Sequence, residues 1–167
     1  MAFSFLPTMM ADAVTDISPS LLQQRGIRLL MLDFDNTLVP YTTSVPTVLV
    51  SDWLKAMQQS EIKICVVSNS KRDRVQIFCR EYGINCITHA KKPFPKGIRQ
   101  CLRQYGIAPH ECALAGDQIY TDTLGANCQG VKSILVKAIH NHIFWLKLRH
   151  VAELPWIGMS GRRRIIK

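Results

Sequence analysis

Apolar residues follow two rhythms along this chain. One is the short apolar-rich block: Leu29 to Leu32, Ile62 to Val67, Ile84 to Thr88, Cys112 to Ala115 and Val131 to Val136. Blocks of that length, each running into polar loop residues, predict strands buried on both faces. The other rhythm is a stripe at i, i+3, i+4 and i+7. Val50, Trp53, Leu54 and Met57 form one, Val75, Phe78, Cys79 and Tyr82 a second, and Ile98, Cys101, Leu102 and Tyr105 a third. Each predicts an amphipathic helix with its stripe toward a core. Ser18-Pro19 marks the start of a short lead-in helix stopped by Gly26, Pro95 and Gly106 bracket the third stripe, and a last helix beginning around Asp122 ends by Gly130.

Strands alternating with helices at this spacing predict an α/β fold: one domain built on a five-stranded parallel sheet with helices on both faces and right-handed crossovers. The expected divisions are a lead-in segment with a short helix over 1–27, the core over 28–139, and a basic C-terminal segment over 140–167 that packs on or near the core.

The polar residues after the strands fall into a pattern. Asp33 and Asp35 follow the first block, Ser68 and Asn69 the second, Lys92 the third, and Asp117 with Asp122 the fourth. Ligands bind at the carboxyl ends of the strands in open α/β sheets, so one edge gathers acids, a hydroxyl and a lysine. Carboxylates about 4 Å apart repel by roughly 4 kcal/mol per pair at an effective dielectric near 20. A positive partner must hold them together. Oxygen donors without nearby His or Cys favour a hard ion such as Mg²⁺, which keeps room for a substrate phosphate. A lysine and a serine hydroxyl suit the outer oxygens of that phosphate. A calcium loop is the competing reading of Asp33 to Leu38, but it needs Gly where Leu38 stands. A receiver domain would carry its phosphoacceptor after the third strand, where the chain has Ala90-Lys91-Lys92.

Composition narrows the partners. The 167 residues carry 21 Lys and Arg against 12 Asp and Glu, a net charge of +9, which favours a phosphorylated, polyanionic or membrane-surface partner. From Lys132 to Lys167 eight basic residues face Glu153 alone. This tail reads two ways: Ile143, Leu146 and Leu148 with Lys147 and Arg149 form a basic amphipathic helix on anionic lipid, or its apolar residues dock on the sheet and Arg162 to Arg164 are solvated. No named nucleic-acid motif is present, so nucleic acid is the less favoured partner. His140 and His142 read as surface residues and Asp73 as a helix start. Six cysteines without a Cys-x-x-Cys pair read as reduced, buried thiols in a cytosolic protein. Met1 to Met10 lacks a basic leader and is broken by Pro7, so no cleaved signal is expected, and no uncharged apolar run approaches the ~20 residues that span a bilayer.

The motifs in register carry a resemblance. Asp33-Phe34-Asp35-Asn36-Thr37 is similar to the Asp-x-Asp-x-Thr signature of the haloacid dehalogenase superfamily, and Ser68, Lys92-Pro93 and Gly116-Asp117-Gln118-Ile119-Tyr120-Thr121-Asp122 resemble its later motifs. Within it, Asp-Asn-Thr-Leu-Val-Pro, Lys-Lys-Pro and Gly-Asp-Gln-x-x-Thr-Asp resemble the YqeG family of subclass IIIA, related to mitochondrial phosphatidylglycerophosphate phosphatases. The resemblance implies a Rossmann-like phosphatase with Mg²⁺ as cofactor. Asp33 would be the nucleophile and Asp35 the general acid and base; Ser68, Asn69 and Lys92 would hold the substrate. Asp33, Asp35 through its backbone carbonyl, and Asp117 would bind the metal, with Asp122 supporting them. Lys91 and Lys96 stay open as alternatives to Lys92. About thirty residues separate Thr37 from Ser68, too few for a cap domain, so a bulky substrate fits. Phosphatidylglycerophosphate or a similar lipid leads, with small phosphorylated metabolites, nucleic acid ends and a non-catalytic phosphate-binding protein as alternatives. The expected location is the cytoplasm, extending to the inner face of the membrane.

Overall fold

In the computed structural model the described residues are 4–71 and 73–139. Leu29–Leu32 forms β2, buried along its whole length, and takes the centre of the sheet. β3 (Lys63–Val67) pairs parallel to it on one side with Leu29 opposite Lys63, and β5 (Cys112–Gly116) on the other with Leu29 opposite Cys112. β4 (Asn85–Ile87) extends the sheet beyond β3, and β6 (Lys132–Val136) beyond β5.

The sheet has one strand more than the five expected. β1 (Met9–Ala11) lies parallel to β6 with Met9 opposite Ile134, giving the order β1-β6-β5-β2-β3-β4. Polar side chains pin it: the Thr8 amide donates to Ser133 Oγ at 3.0 Å and the Ser133 amide to Thr8 Oγ1 at 3.2 Å. Asn127 Nδ2 donates to the carbonyls of Ser4 and Leu6. Part of the lead-in segment is thus sheet, and the Met9 and Ala11 side chains are buried in the core.

Successive side chains of β2 alternate between two cores, as the period of a strand requires. Leu30 and Leu32 pack in the core that includes Val50, Leu54 and Met57 of α2 (Val48–Gln59) and Val75, Phe78 and Cys79 of α3 (Arg74–Glu81). Leu29 and Met31 face Ile98 and Cys101 of α4 (Pro95–Tyr105) and Ala126 of α5 (Leu124–Cys128). Each fully buried Leu stabilises the fold by about 1.5–3 kcal/mol relative to exposure. α1 (Pro19–Gln24) begins as its sequence dictates, with the Leu21 amide donating to the Ser18 hydroxyl. The Trp53 indole N–H donates to the Ile17 carbonyl at 2.7 Å, tying α2 to the segment before α1.

No cap domain interrupts the core: a loop, α2 and β3 fill the stretch from Val39 to Ser68. Among the described residues no helix is long and apolar enough to cross a membrane, and all six cysteines are free thiols. The expectations for the basic tail and for His140 and His142 lie outside the described residues.

Candidate active site

The central strand hands its pairing on by one residue, because the Asp33 amide donates to the Ala115 carbonyl at 2.9 Å. Phe34 then turns into the core and meets the Phe78 ring edge-on at 5.2 Å between centroids. Asn36 adopts φ +60, a left-handed conformation that Asn tolerates better than most residues. Its amide donates to the Val39 carbonyl and its Oδ1 accepts from the Tyr41 amide, which closes a tight loop. Asp33 is therefore held against the end of the sheet at 6% exposure, with Asp35 one step further out.

Three other strands bring side chains to this point. The Lys92 ammonium, itself buried, donates to Asp33 Oδ1 at 2.6 Å and lies 2.7 Å from Asp122 Oδ1. Lys91 and Lys96 are exposed, so of the three neighbouring lysines Lys92 is the one among the carboxylates. Asp33, Asp117 and Asp122 each offer an oxygen, all within 4.8 Å of one another. Burial pushes the Asp33 carboxyl up to about 6, with Lys92 pulling it down and Asp122 adding to the rise. Burial alone would lower the Lys92 ammonium, but Asp122 and Asp33 outweigh it and hold it above its ordinary range. The Gln118 amide donates to Asp122 Oδ2 at 3.2 Å, fixing that carboxylate across the turn after β5. Gly116 makes the approach possible, because a Cβ there would sit 2.4 Å from the Asp122 carboxylate.

Ser68 is buried at the end of β3. Its amide donates to Ile87 and its carbonyl accepts from Ala90, so it ties the ends of β3 and β4 together. Its Oγ accepts from the Ser70 amide at 3.0 Å. Asn69, expected on the substrate, is exposed, and its side-chain amide grips the backbone of Lys92. Its Oδ1 accepts from the Lys92 amide at 2.7 Å and its Nδ2 donates to the Lys92 carbonyl at 2.9 Å. The Asp35 carboxylate stands outside the cluster of three oxygens and pairs with the Arg74 guanidinium, and the part expected of Asp35 at the metal was its backbone carbonyl.

Arg74 escaped sequence reasoning. It opens α3, and its Nη1 also donates to the Thr43 carbonyl at 2.7 Å. The guanidinium lies 5.2 Å from the Phe34 ring centre and 5.6 Å from that of Tyr41, within cation–π range. Burial lowers its pKa from the ordinary arginine value. One side chain thus joins the Asp35 carboxylate, the loop beyond it and the start of α3. The available signal was weak: a basic residue six positions after Ser68, at a helix start where acids are the usual preference.

The haloacid dehalogenase-like hydrolase family matches residues 41–130 of the chain. A relative from Bacillus subtilis (strain 168), named probable phosphatase YqeG, is 34% identical over 132 residues, covering 79% of this chain and 77% of the relative. Among solved structures, the cobalt-bound deoxy-D-mannose-octulosonate 8-phosphate phosphatase (YrbI) of Haemophilus influenzae is similar with TM-score 0.54 and 15% identity, covering 81% of this chain and 92% of that one. The 3-deoxy-D-manno-octulosonate 8-phosphate phosphatase of Moraxella catarrhalis, in complex with magnesium ion, phosphate ion and KDO, is similar with TM-score 0.51 and 17% identity, covering 86% of this chain and 97% of that one. At such identities these two structures speak for the fold, while the family match and the Bacillus subtilis relative speak for membership. The chain belongs to the haloacid dehalogenase-like hydrolase family and is a phosphatase within it.

Proposed function

We propose that this phosphatase hydrolyses a phosphomonoester through an aspartyl phosphate on Asp33, with Mg²⁺ as cofactor, and that its substrate is phosphatidylglycerophosphate or a lipid phosphate like it. The observation carrying the chemistry is the buried Lys92 ammonium shared by Asp33 and Asp122, with Asp117 alongside. Three carboxylate oxygens within 4.8 Å repel by about 3–4 kcal/mol per pair at an effective dielectric near 20. One ammonium offsets part of that, and an all-oxygen donor set fits a hard divalent cation for the rest. Asp33, Asp117 and the backbone carbonyl of Asp35 would hold it, with Asp122 behind them. When bound, such a cation neutralises charge on the phosphoryl oxygens.

A carboxylate oxygen of Asp33 attacks phosphorus in line, and the bond from phosphorus to the ester oxygen breaks as Asp35 gives that oxygen a proton. Asp35 then takes a proton from water, whose oxygen attacks phosphorus, and inorganic phosphate leaves Asp33 as a free carboxylate. Lys92 keeps the nucleophile aimed by holding one of its oxygens, and the Ser68 hydroxyl donates to a phosphoryl oxygen. Asn69 acts one step removed, through the backbone of Lys92. Arg74 anchors Asp35 between the two proton transfers.

The lipid assignment is supported by the resemblance to the phosphatidylglycerophosphate phosphatases, by the lack of an inserted cap and by the +9 net charge. The test is hydrolysis of p-nitrophenyl phosphate and of vesicle-borne phosphatidylglycerophosphate, each with Mg²⁺ and with EDTA. Cleavage of both with Mg²⁺ and neither with EDTA is expected. Cleavage of the soluble ester alone moves the substrate to small phosphorylated metabolites.

A further inference from the structure

Large exposed apolar side chains are not scattered over the described residues. Among the described residues the large hydrophobic side chains that stand exposed are Tyr41, Val45, Val48, Leu49, Ile77 and Phe94. All occupy segments that follow the carboxyl end of a strand. Tyr41 and Val45 lie in the loop after β2, Val48 and Leu49 in the first turn of α2, Ile77 early in α3, and Phe94 immediately before α4. In a parallel sheet these segments share one edge, and here it is the edge that holds Asp33, Lys92 and Asp117. The connections from helix to strand at the opposite edge contribute none of the six.

Val45, Val48 and Leu49 are 74%, 76% and 73% exposed, far beyond what a folded domain needs to leave in water. They follow closely on Thr43, whose carbonyl holds Arg74, which in turn holds Asp35. Cations flank the same edge: Lys71 after β3, Lys91 after β4 and Lys96 in the first turn of α4 are all exposed. Of the acids of the site, Asp33 and Asp122 point inward to Lys92 and Asp35 pairs with Arg74. Protruding aliphatic residues among exposed lysines match an interface of acyl chains and anionic headgroups, whereas a soluble polyanion would leave the aliphatic residues unused.

We infer that the catalytic edge is a membrane-docking face, on which Val45, Val48, Leu49 and Phe94 enter the headgroup layer of an anionic bilayer while Lys71, Lys91 and Lys96 meet lipid phosphates. The inference rests on the lipid-phosphate reading of the same site and deepens it. A protein lying on this face presents its open site to a phosphate that stays in the membrane plane, so the lipid need not leave the bilayer. Docking and chemistry use different side chains and separate experimentally.

The full chain is sedimented with vesicles of equimolar phosphatidylglycerol and phosphatidylcholine, and with vesicles of phosphatidylcholine alone. Binding to the first and weaker binding to the second is expected. The double variant Val48→Asp/Leu49→Asp should bind anionic vesicles at least ~tenfold more weakly, and Lys71→Glu/Lys96→Glu should lose ~tenfold or more of the preference for anionic lipid. Both should cleave p-nitrophenyl phosphate at the wild-type rate. Lys63→Glu, at the opposite edge, should bind as wild type does. Vesicle binding that depends on these residues, without turnover of vesicle-borne phosphatidylglycerophosphate, supports the docking face and removes the lipid substrate. Absent binding, or binding indifferent to both double variants, overturns the docking face. So does a concentration-dependent dimer that Val48→Asp/Leu49→Asp dissolves in the absence of vesicle binding, which would make the occupant a second copy of the chain.

Discussion

The two edges of the sheet solve the problem of reversing the chain in opposite ways. Where helices return to strands, residues with positive φ are glycines, Gly106 and Gly130 among them. Where strands lead into helices, positive φ falls on Asn36, His89 and Lys91, although a left-handed conformation costs an L-residue roughly 1–2 kcal/mol. The difference shows which edge needs its side chains. Asn36 uses Oδ1 to hold the Tyr41 amide, and the turn at Lys91 precedes the lysine that is buried among the carboxylates. Charges follow the same division. Arg28 and Glu111 pair at 3.1 Å on the glycine-turned edge with Arg28 side-chain exposure of 65%, while the Lys92 side chain on the other is 1% exposed.

The sharpest way to break this contrast is to remove the nucleophile. Asp33→Asn should lower turnover of a phosphate ester by more than ~10⁴-fold, whereas Asp35→Asn should lose ~10²- to 10⁴-fold, the share of general acid and base help. Steady-state kinetics decide it, and equal residual activity in the two variants would undo the assigned roles. Lys92→Met comes next, since breaking a buried ion pair leaves uncompensated charge and should destabilise by about 3–5 kcal/mol. Urea unfolding measures the loss, and added Mg²⁺ should restore more stability to this variant than to wild type. A smaller effect is expected for Gly116→Ala, whose new methyl would displace the Asp122 carboxylate. About 1–3 kcal/mol of stability should go, with a raised Mg²⁺ requirement for activity. Arg28→Ala, at the glycine-turned edge, should stay within about 0.5 kcal/mol of wild type and leave kcat unchanged.

How much of this was legible in the sequence depended on the distance over which the cause acts. The stripe of Val50, Trp53, Leu54 and Met57 is local, and all four residues are buried as its period requires. β2 and β5 were legible because both faces are covered, which writes itself as an unbroken apolar run. β1 was not: Met9–Ala11 is a strand because it pairs with β6, and its polar pins join Thr8 to Ser133 across the length of the chain. The acids of the site stood out because they cluster just after β2 and β5. Asn69 stood out by following β3, but its grip on the Lys92 backbone did not, and Arg74 was missed altogether, because contacts with Lys92, Asp35 and Thr43 are encoded in no spacing. Lys92 was picked from Lys91 and Lys96 by the Lys-Pro pair alone, and the backbone buries it while leaving the other two outside.

The outermost strands of the sheet, β1 and β4, are each three residues long. A border that short offers a foreign chain too few free amides and carbonyls to template an added strand. Among the described residues the rims of the sheet thus give little purchase for fibril growth, which disfavours self-association there.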